Sequence, residues 1–247
     1  MNNFSEIPMR TWNWLGVNEV TTNVTAEVET FSVAANKTKK LTQINMANDN
    51  SAKKLHIKVE ENAQLELTVV DLSESDSASE IVIDLDGDDS KVDLFAVYFG
   101  SSDNRLDLNY IIHQRGKRTE ANMFVNGALA GNCDKIFRGT LDFVKGSKGS
   151  VGREREDVIV LSDTVRNRSV PLMLSAEDEV DGHHAVSIGR IDEEKLFYLM
   201  SRGLDRVEAE KLIVEAMFNP IIERLDDAEL INKIFQIIKE RLGNNEI

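Results

Sequence analysis

Two adjacent histidines, His183 and His184, are the residues of this sequence whose side chains best suit a transition metal. A neutral imidazole nitrogen is a good ligand for iron or zinc. A complete site needs several ligands, and no further ligand set lies nearby in the sequence. Taken alone, the pair is therefore more typical of a surface position than of a finished metal site.

The sequence has a single cysteine, Cys133, in a predicted loop between Asn132 and Asp134. One cysteine allows no internal disulfide, and it excludes a zinc or iron–sulfur site built from cysteines of this chain alone. A thiol that handles sulfur needs a stabilised thiolate, and the closest cation along the sequence is Lys135. We therefore expect an inert cysteine, so that ligation of any cluster would be shared with another chain or use other residue types.

Sequence motifs for nucleotide binding and hydrolysis are absent. The sequence contains no Walker A loop, no Gly-x-Gly-x-x-Gly turn after a strand, no Gly-x-Ser-x-Gly elbow and no His-Glu-x-x-His helix. The acidic run from Asp86 to Asp89 lacks the spacing of a calcium loop and predicts a solvated turn. His56 and His113 fall in predicted strands and are interpreted as sheet residues. We therefore expect a protein that is not an enzyme.

The chain is acidic, with 29 Lys and Arg against 43 Asp and Glu and a formal net charge of -14. Such a charge repels the phosphate backbone of a nucleic acid. The stretch from Met1 to Val20 lacks the apolar run of a signal peptide, and no segment approaches the ~20 apolar residues of a membrane span. These observations predict a cytoplasmic protein with neither nucleic acid nor membrane as a partner.

Short runs of alternating apolar residues dominate the region from Val28 to Val186, and polar turns separate them about every 10 to 15 residues. This rhythm fits either a β-sandwich or a stacked β-solenoid, and the scarcity of Asn-Gly and Asp-Gly hairpin turns weakly favours the solenoid. The predicted strands are Leu41–Met46, Leu55–Val59, Leu65–Val70, Ile81–Leu85, Val92–Phe99, Leu106–Ile112, Ile136–Val144 and Val158–Leu161.

Three helices are predicted after Gly189. The first runs from Asp192 to Arg202 with Gly203 just past its end, and the second starts at Asp205 with a capping box and is ended or kinked by Pro220. The third begins at Asp226 or Asp227. Its buried face is predicted to hold Leu230, Ile231, Ile234, Ile238 and Leu242, and that of the second helix to hold Ala209, Leu212, Ile213, Ala216 and Met217.

These patterns divide the chain into three parts. Residues 1–25 form a short lead, residues 26–190 form the β core, and residues 191–247 form a helical subdomain. The fold class is therefore mainly β with a C-terminal α subdomain.

The segment from Gly182 to Gly203, which contains His183-His184-Ala185-Val186-Ser187-Ile188-Gly189-Arg190-Ile191-Asp192, resembles the C-terminal signature of the SufB/SufD family. Earlier landmarks are similar to that family as well: Ile136-Phe137-Arg138-Gly139, Leu161-Ser162-Asp163, Val170-Pro171 and the acidic run Glu177 to Val180. The resemblance is strong from about Asp134 to Leu225 and rests only on strand rhythm before that.

The family resemblance implies a right-handed parallel β-helix flanked by helices, in a complex that assembles iron–sulfur clusters. It further implies that SufB-type and SufD-type chains pair through their β-helices and that each docks its C-terminal helices on a SufC-type ATPase. Ser162 stands where SufB proteins carry a cysteine, so the chain resembles the SufD branch. The resemblance also implies a longer N-terminal helical region in that branch than the lead Met1–Thr25.

The resemblance also selects candidate site residues. His184 matches a family histidine at the SufB–SufD interface, which implies a transient iron–sulfur cluster shared with SufB and no cofactor held by this chain alone. Partner contacts with SufC are expected at Phe197, Tyr198, Arg202 and Phe218, on the outward side of the helices, because aromatic and arginine side chains dominate interface energetics. An isolated chain could form a homodimer through the same β-helix edge.

A different class of function remains open, because β-helix proteins also include enzymes that act on polysaccharides with carboxylate pairs in a groove. The aromatic content of 6% and the presence of only two tryptophans, Trp12 and Trp14, argue against it.

Overall fold

The structure, a computed structural model, describes residues 26–244, so the lead predicted for residues 1–25 lies outside the described part. Twelve strands are followed by three helices within that range. The strands are β1 Val28–Val33, β2 Thr38–Asn45, β3 Ser51–Val59, β4 Gln64–Asp71, β5 Ser77–Leu85, β6 Lys91–Gly100, β7 Arg105–Gln114, β8 Glu120–Leu129, β9 Asp134–Phe143, β10 Val151–Val160, β11 Arg166–Ser175 and β12 Asp181–Gly189.

The strands build a parallel β-solenoid of two facing sheets. The odd-numbered strands form one six-stranded sheet in chain order, which we call the odd sheet, and the even-numbered strands form the other, the even sheet. All of their pairings are parallel, and each strand lies over its counterpart in the next coil. The solenoid predicted from the sequence is confirmed, and the sandwich is excluded.

The coil length measured in the odd sheet increases along the chain. Ser51 pairs with Ser77 in the odd sheet, and Asp134 pairs with Arg166, so the repeat grows from 26 to 32 residues. A changing period explains why the sequence shows no fixed repeat.

One corner of the solenoid is a stack of turns. Asn36, Asn62, Asp89 and Arg118 have positive φ there, and Gly149 continues the series with φ +78°. Asn62 donates its backbone N–H to Asp88 O, Asp89 to Lys117 O and Arg118 to Lys148 O, so that each turn hydrogen-bonds to the next coil. Backbone groups at the corner are thereby satisfied in the same way as those of the strands.

The apolar core lies between the two sheets. One interior column of the even sheet shows its composition, because Leu41, Leu67, Leu94 and Met123 follow one another in register from β2 to β8. The last three of these side chains are fully buried. Each buried Leu or Met contributes about 1.5–3 kcal/mol to the stability of the fold.

Three helices complete the fold: α1 Glu193–Ser201, α2 Arg206–Ile222 and α3 Ala228–Asn244. The Asp205 and Glu208 side chains form the predicted capping box of α2, and Gly203 has φ +100° at the predicted left-handed position. Asp227 caps α3, because its carboxylate accepts from the N–H groups of Glu229 and Leu230. Pro220 lies inside α2, which ends two residues later at Ile222.

The helices α2 and α3 pack on the outer face of the even sheet. Val70, Phe95, Val97 and other residues of β4 to β8 share one apolar cluster with Val214, Phe218, Ile221, Ile222, Ile234, Ile238 and Leu242. Polar contacts add to this layer, since Arg224 stacks 3.6 Å from the centre of the Phe95 ring and pairs with Glu66 at 3.1 Å. The buried face predicted for α3 is confirmed for Ile234, Ile238 and Leu242.

The buried face of α2 differs from the predicted one. Val214, Phe218, Ile221 and Ile222 are buried with Ala209, whereas Leu212 is 45% exposed and Ala216 is also exposed. The prediction that Phe218 faces outward is therefore wrong, because its ring is 0% exposed against the sheet. Apolar residues occur on all sides of α2, so periodicity alone could not select the buried side.

No helix within residues 26–244 is long and apolar enough to cross a membrane.

Candidate functional site

The last strand of the even sheet, β12, forms an open edge of the solenoid. Among the described strands it pairs with β10 alone, and eight of its nine residues are exposed. An edge strand of this kind presents unpaired N–H and C=O groups that can accept another strand. Both histidines of the family signature lie on it.

His183 and His184 point to opposite faces of β12, as successive residues of a strand do. His184 is in register with Glu154 of β10, and His183 is in register with Arg153. Glu154 is buried and Arg153 exposed, so the His184 position belongs to the interior side of the sheet. His183 lies on the outer face, where its ring is 2.9 Å from Asp181, and its predicted exposure is confirmed.

A buried ion pair lies inside the coils next to this edge. The Lys135 ammonium of β9 contacts the Glu156 carboxylate of β10, and both side chains are inaccessible to solvent. The Tyr98 hydroxyl donates to Glu156 at 2.8 Å, and Lys135 also donates to Asn167 at 3.0 Å and Ser169 at 2.9 Å. Burial lowers the pKa of Lys135 and Glu156 opposes that effect, while burial raises the pKa of Tyr98. The solenoid interior is thus polar near its C-terminal end.

Glu154 is the second carboxyl group of this interior, and it is differently placed. Its side chain is 3% exposed, and neither oxygen has a hydrogen-bond partner among the described residues. Burial, followed by the neighbouring Glu156, raises its pKa to about 9. Space for it comes from Gly139, since a Cβ there would lie 2.0 Å from the Glu154 Oε1 atom. At neutral pH this group is therefore a protonated acid.

Within residues 26–244, no group of three or more His, Cys, Asp or Glu side chains is placed to hold a metal ion. His184 therefore belongs to no such group. Cys133 is far less available, because it is fully buried and burial raises the pKa of its thiol to about 11. A protonated, enclosed thiol is a poor nucleophile and a poor ligand, as the sequence indicated.

The other two histidines form pairs on the outer face of the odd sheet. His56 Nε2 lies 2.6 Å from Asp84 Oδ2, and His113 Nδ1 lies 2.8 Å from Asp142 Oδ2. Burial raises the pKa of Asp84, but hydrogen bonds from His56 and Arg115 outweigh that effect and leave the pKa below its usual value. These histidines are sheet residues, as predicted.

Helix α1 carries an exposed aromatic surface. Phe197 is 74% exposed and Tyr198 57% exposed, and the Arg202 guanidinium lies 5.3 Å from the centre of the Tyr198 ring. Leu196 is the one fully buried side chain of this helix. The three predicted contact residues Phe197, Tyr198 and Arg202 thus lie together, whereas Phe218 lies apart from them in the buried layer.

Sequence reasoning missed Glu154, Glu156 and Lys135. The predicted strand Val158–Leu161 began after both glutamates, so nothing in the sequence marked them as buried. The sequence could not show their partners, because those lie on other coils.

Comparisons with known proteins agree with this architecture. Residues 14–217 match the family model described as SUF system FeS cluster assembly, SufBD core domain. The iron–sulfur cluster assembly protein SufD of Bacillus subtilis is 28% identical over 156 residues, which are 63% of this chain and 36% of that protein. A SufBD family iron–sulfur cluster assembly protein of Pyrococcus horikoshii is 32% identical over 153 residues, which are 62% of this chain and 34% of that protein.

A parallel β-solenoid with a helical layer on one sheet places the chain among the β-helix proteins. This chain belongs to the SufBD family of iron–sulfur cluster assembly proteins, because the family model matches most of its length. The match spans about a third of the length of the two relatives named above.

Proposed function

We propose that this chain is a SufD-like scaffold subunit of a SufBCD-type complex, working in the cytoplasm without catalysing bond chemistry itself. The observation that carries the proposal is the adjacency of two open surfaces. The exposed edge strand β12, with His184, is separated by three residues from α1, with Phe197 and Tyr198.

The β12 edge supports docking of a SufB-type scaffold. A partner strand added to β12 would satisfy its free backbone groups and continue the sheet, which is the usual way in which exposed edges recognise partners. It would also cover Ile188, a large apolar side chain left 49% exposed at this edge. When the isolated chain lacks that partner, a second copy could occupy the same edge as a homodimer.

The surface on α1 supports docking of a SufC-type ATPase. Aromatic and arginine side chains are the usual energetic centres of an interface. Phe197, Tyr198 and Arg202 have no comparable role inside the fold, because they are exposed. Nucleotide-driven movement of the ATPase would then act on α1 and, through the short connection, on β12.

His184 would contribute one ligand to a transient cluster that the scaffold carries as cargo. One imidazole from this chain fits a shared site, in which SufB supplies thiolate ligands. Ser162, at the position of the SufB cysteine, has a structural role here, since its hydroxyl accepts from the Gly131 N–H at 2.9 Å. This arrangement favours an auxiliary role for the chain in cluster assembly.

Co-purification with SufC-type and SufB-type subunits tests the docking surfaces. We expect Phe197→Ala and Arg202→Ala to weaken retention of SufC at least tenfold, whereas Leu212→Ala, which removes an exposed apolar side chain on α2, should leave it unchanged. Loss of SufC with Leu212→Ala and not with Phe197→Ala would transfer the docking site to the groove between α2 and α3.

Anaerobic cluster reconstitution with SufB and SufC tests the role of His184. We expect His184→Ala to lower the cluster yield, and the neighbouring His183→Ala, on the other face of β12, to leave it unchanged. Equal yields for wild type and His184→Ala would refute the ligand role.

A further inference from the structure

The interior column that contains His184 changes character at the end of the solenoid. From β2 to β8 the column consists of Leu41, Leu67, Leu94 and Met123 in register. In β10 and β12 the same column continues with Glu154 and His184. An acid and an imidazole thus follow four apolar side chains on one line, at the two strands nearest the open edge.

Glu154 is costly in this position. It is 3% exposed, and its two carboxyl oxygens have no hydrogen-bond partner within residues 26–244. A buried polar group without a partner is destabilising, because it has lost its hydrogen bonds to water. Glu156, two residues along the same strand, shows the contrast, since its Oε1 atom accepts from Tyr98 and Lys135 and only its Oε2 atom has no partner within residues 26–244.

His184 is the polar side chain that the strand register places beside Glu154. Neighbouring strands are about 4.8 Å apart, and residues in register project on the same face of a sheet. The Glu154 oxygens now lie beside Gly139, where they have no hydrogen bond to lose on turning toward the imidazole.

We propose that Glu154 is the positioning residue of His184: a carboxyl oxygen accepts a hydrogen bond from one ring nitrogen and so directs the other ring nitrogen to the open edge. The inference rests on the proposed ligand role of His184 and adds the residue that prepares it. Metal-binding histidines generally donate their second ring N–H to a carboxylate or carbonyl, which fixes the tautomer and raises the basicity of the ligating nitrogen.

The test replaces Glu154 with the residue types that the column carries elsewhere. Glu154→Met and Glu154→Leu extend the apolar column, and we expect both variants to fold. Arg153→Met is the matched control, because Arg153 directly precedes Glu154 in β10, faces outward and is in register with His183.

Two-bond proton–nitrogen NMR spectra at constant pH report the tautomer of each histidine directly. We expect the His184 ring nitrogens to shift in both Glu154 variants and to keep their wild-type positions in Arg153→Met. Unchanged His184 signals in the Glu154 variants would overturn the inference.

Titration with Co²⁺ provides a second readout on the same proteins. We expect the Glu154 variants to bind Co²⁺ at His184 about 10- to 100-fold more weakly, the usual effect of losing such a partner. Equal affinity would overturn the positioning role. The cluster yield of His184→Ala tests the proposed ligand role of His184, and the NMR spectra of the Glu154 variants test the positioning role of Glu154. The two hypotheses can therefore fail independently.

Discussion

Replacing Phe218 with alanine removes an aromatic ring from the layer between α2 and the even sheet. The ring is 0% exposed and shares a cluster with Phe95, Val97 and Ile234. Phe197, on α1, gives a matched control, because it is the same residue type in the same helical region but 74% exposed.

The expected magnitude follows from this difference in burial. A buried Phe removes about 150–250 Å² from water, and at about 25 cal/mol per Å² this amounts to roughly 4–6 kcal/mol as an upper estimate. The remaining methyl group and partial relaxation reduce the cost of Phe218→Ala to about 3–5 kcal/mol. Phe197→Ala should change the free energy of unfolding by no more than about 0.5 kcal/mol.

The assays that check this prediction are urea denaturation and SufC binding, each applied to both variants. For a chain of this size, the loss in Phe218→Ala corresponds to a Tm lower by roughly 6–20 °C. Phe218→Ala should still bind SufC under conditions where it is folded, whereas Phe197→Ala should keep its stability and lose binding. A stability loss below about 1 kcal/mol for Phe218→Ala would refute the packing of α2 on the sheet.

Three further predictions concern the solenoid. Gly127→Ala should lower the free energy of unfolding by about 1–3 kcal/mol, because its Cβ would lie 2.0 Å from the buried Tyr98 ring, whereas Gly189→Ala should not, because nothing lies within 4 Å of its Cβ. Equal stability of the two variants in urea denaturation would contradict this. Lys135→Met should lower the free energy of unfolding by about 3–5 kcal/mol, because it leaves the Glu156 charge buried without a partner. Combining it with Glu156→Met should restore most of that stability, and a double variant as unstable as the single one would argue against the buried charge as the cause. Asp84→Asn should destabilise the fold at pH 7, because the lowered pKa of Asp84 contributes stability above its unfolded pKa of about 4, and this stability is lost as the pH falls through the folded pKa. The difference in stability from wild type should therefore shrink when denaturation is repeated toward pH 3, and a constant difference would count against the ion pair.

Local rules predicted much of the fold. The alternation of apolar residues identified the strands of the central coils, where one side of each strand faces an apolar interior. The capping box at Asp205 and the left-handed Gly203 depend on nearby residues alone, and both are confirmed.

Nonlocal contacts explain what the sequence could not show. The strands β1, β8, β11 and β12 escaped the pattern, and in the last three polar or small residues such as Asn126, Ser169 and Gly182 interrupt the alternation. The choice of Phe218 as an outward residue failed because α2 is apolar on several sides, and only the sheet beneath it selects one. Likewise, the column that joins Glu154 to His184 depends on strand register across a turn of 30 residues.

The coils of the odd sheet lengthen from one end of the solenoid to the other. The first repeats after 26 residues, as Val28 pairs with Lys54, and the last after 32. A copy stacked head to tail would therefore set a short coil against a long one, and their turns could not all stay in register. Unequal coils thus work against the head-to-tail fibre growth that exposed edge strands invite.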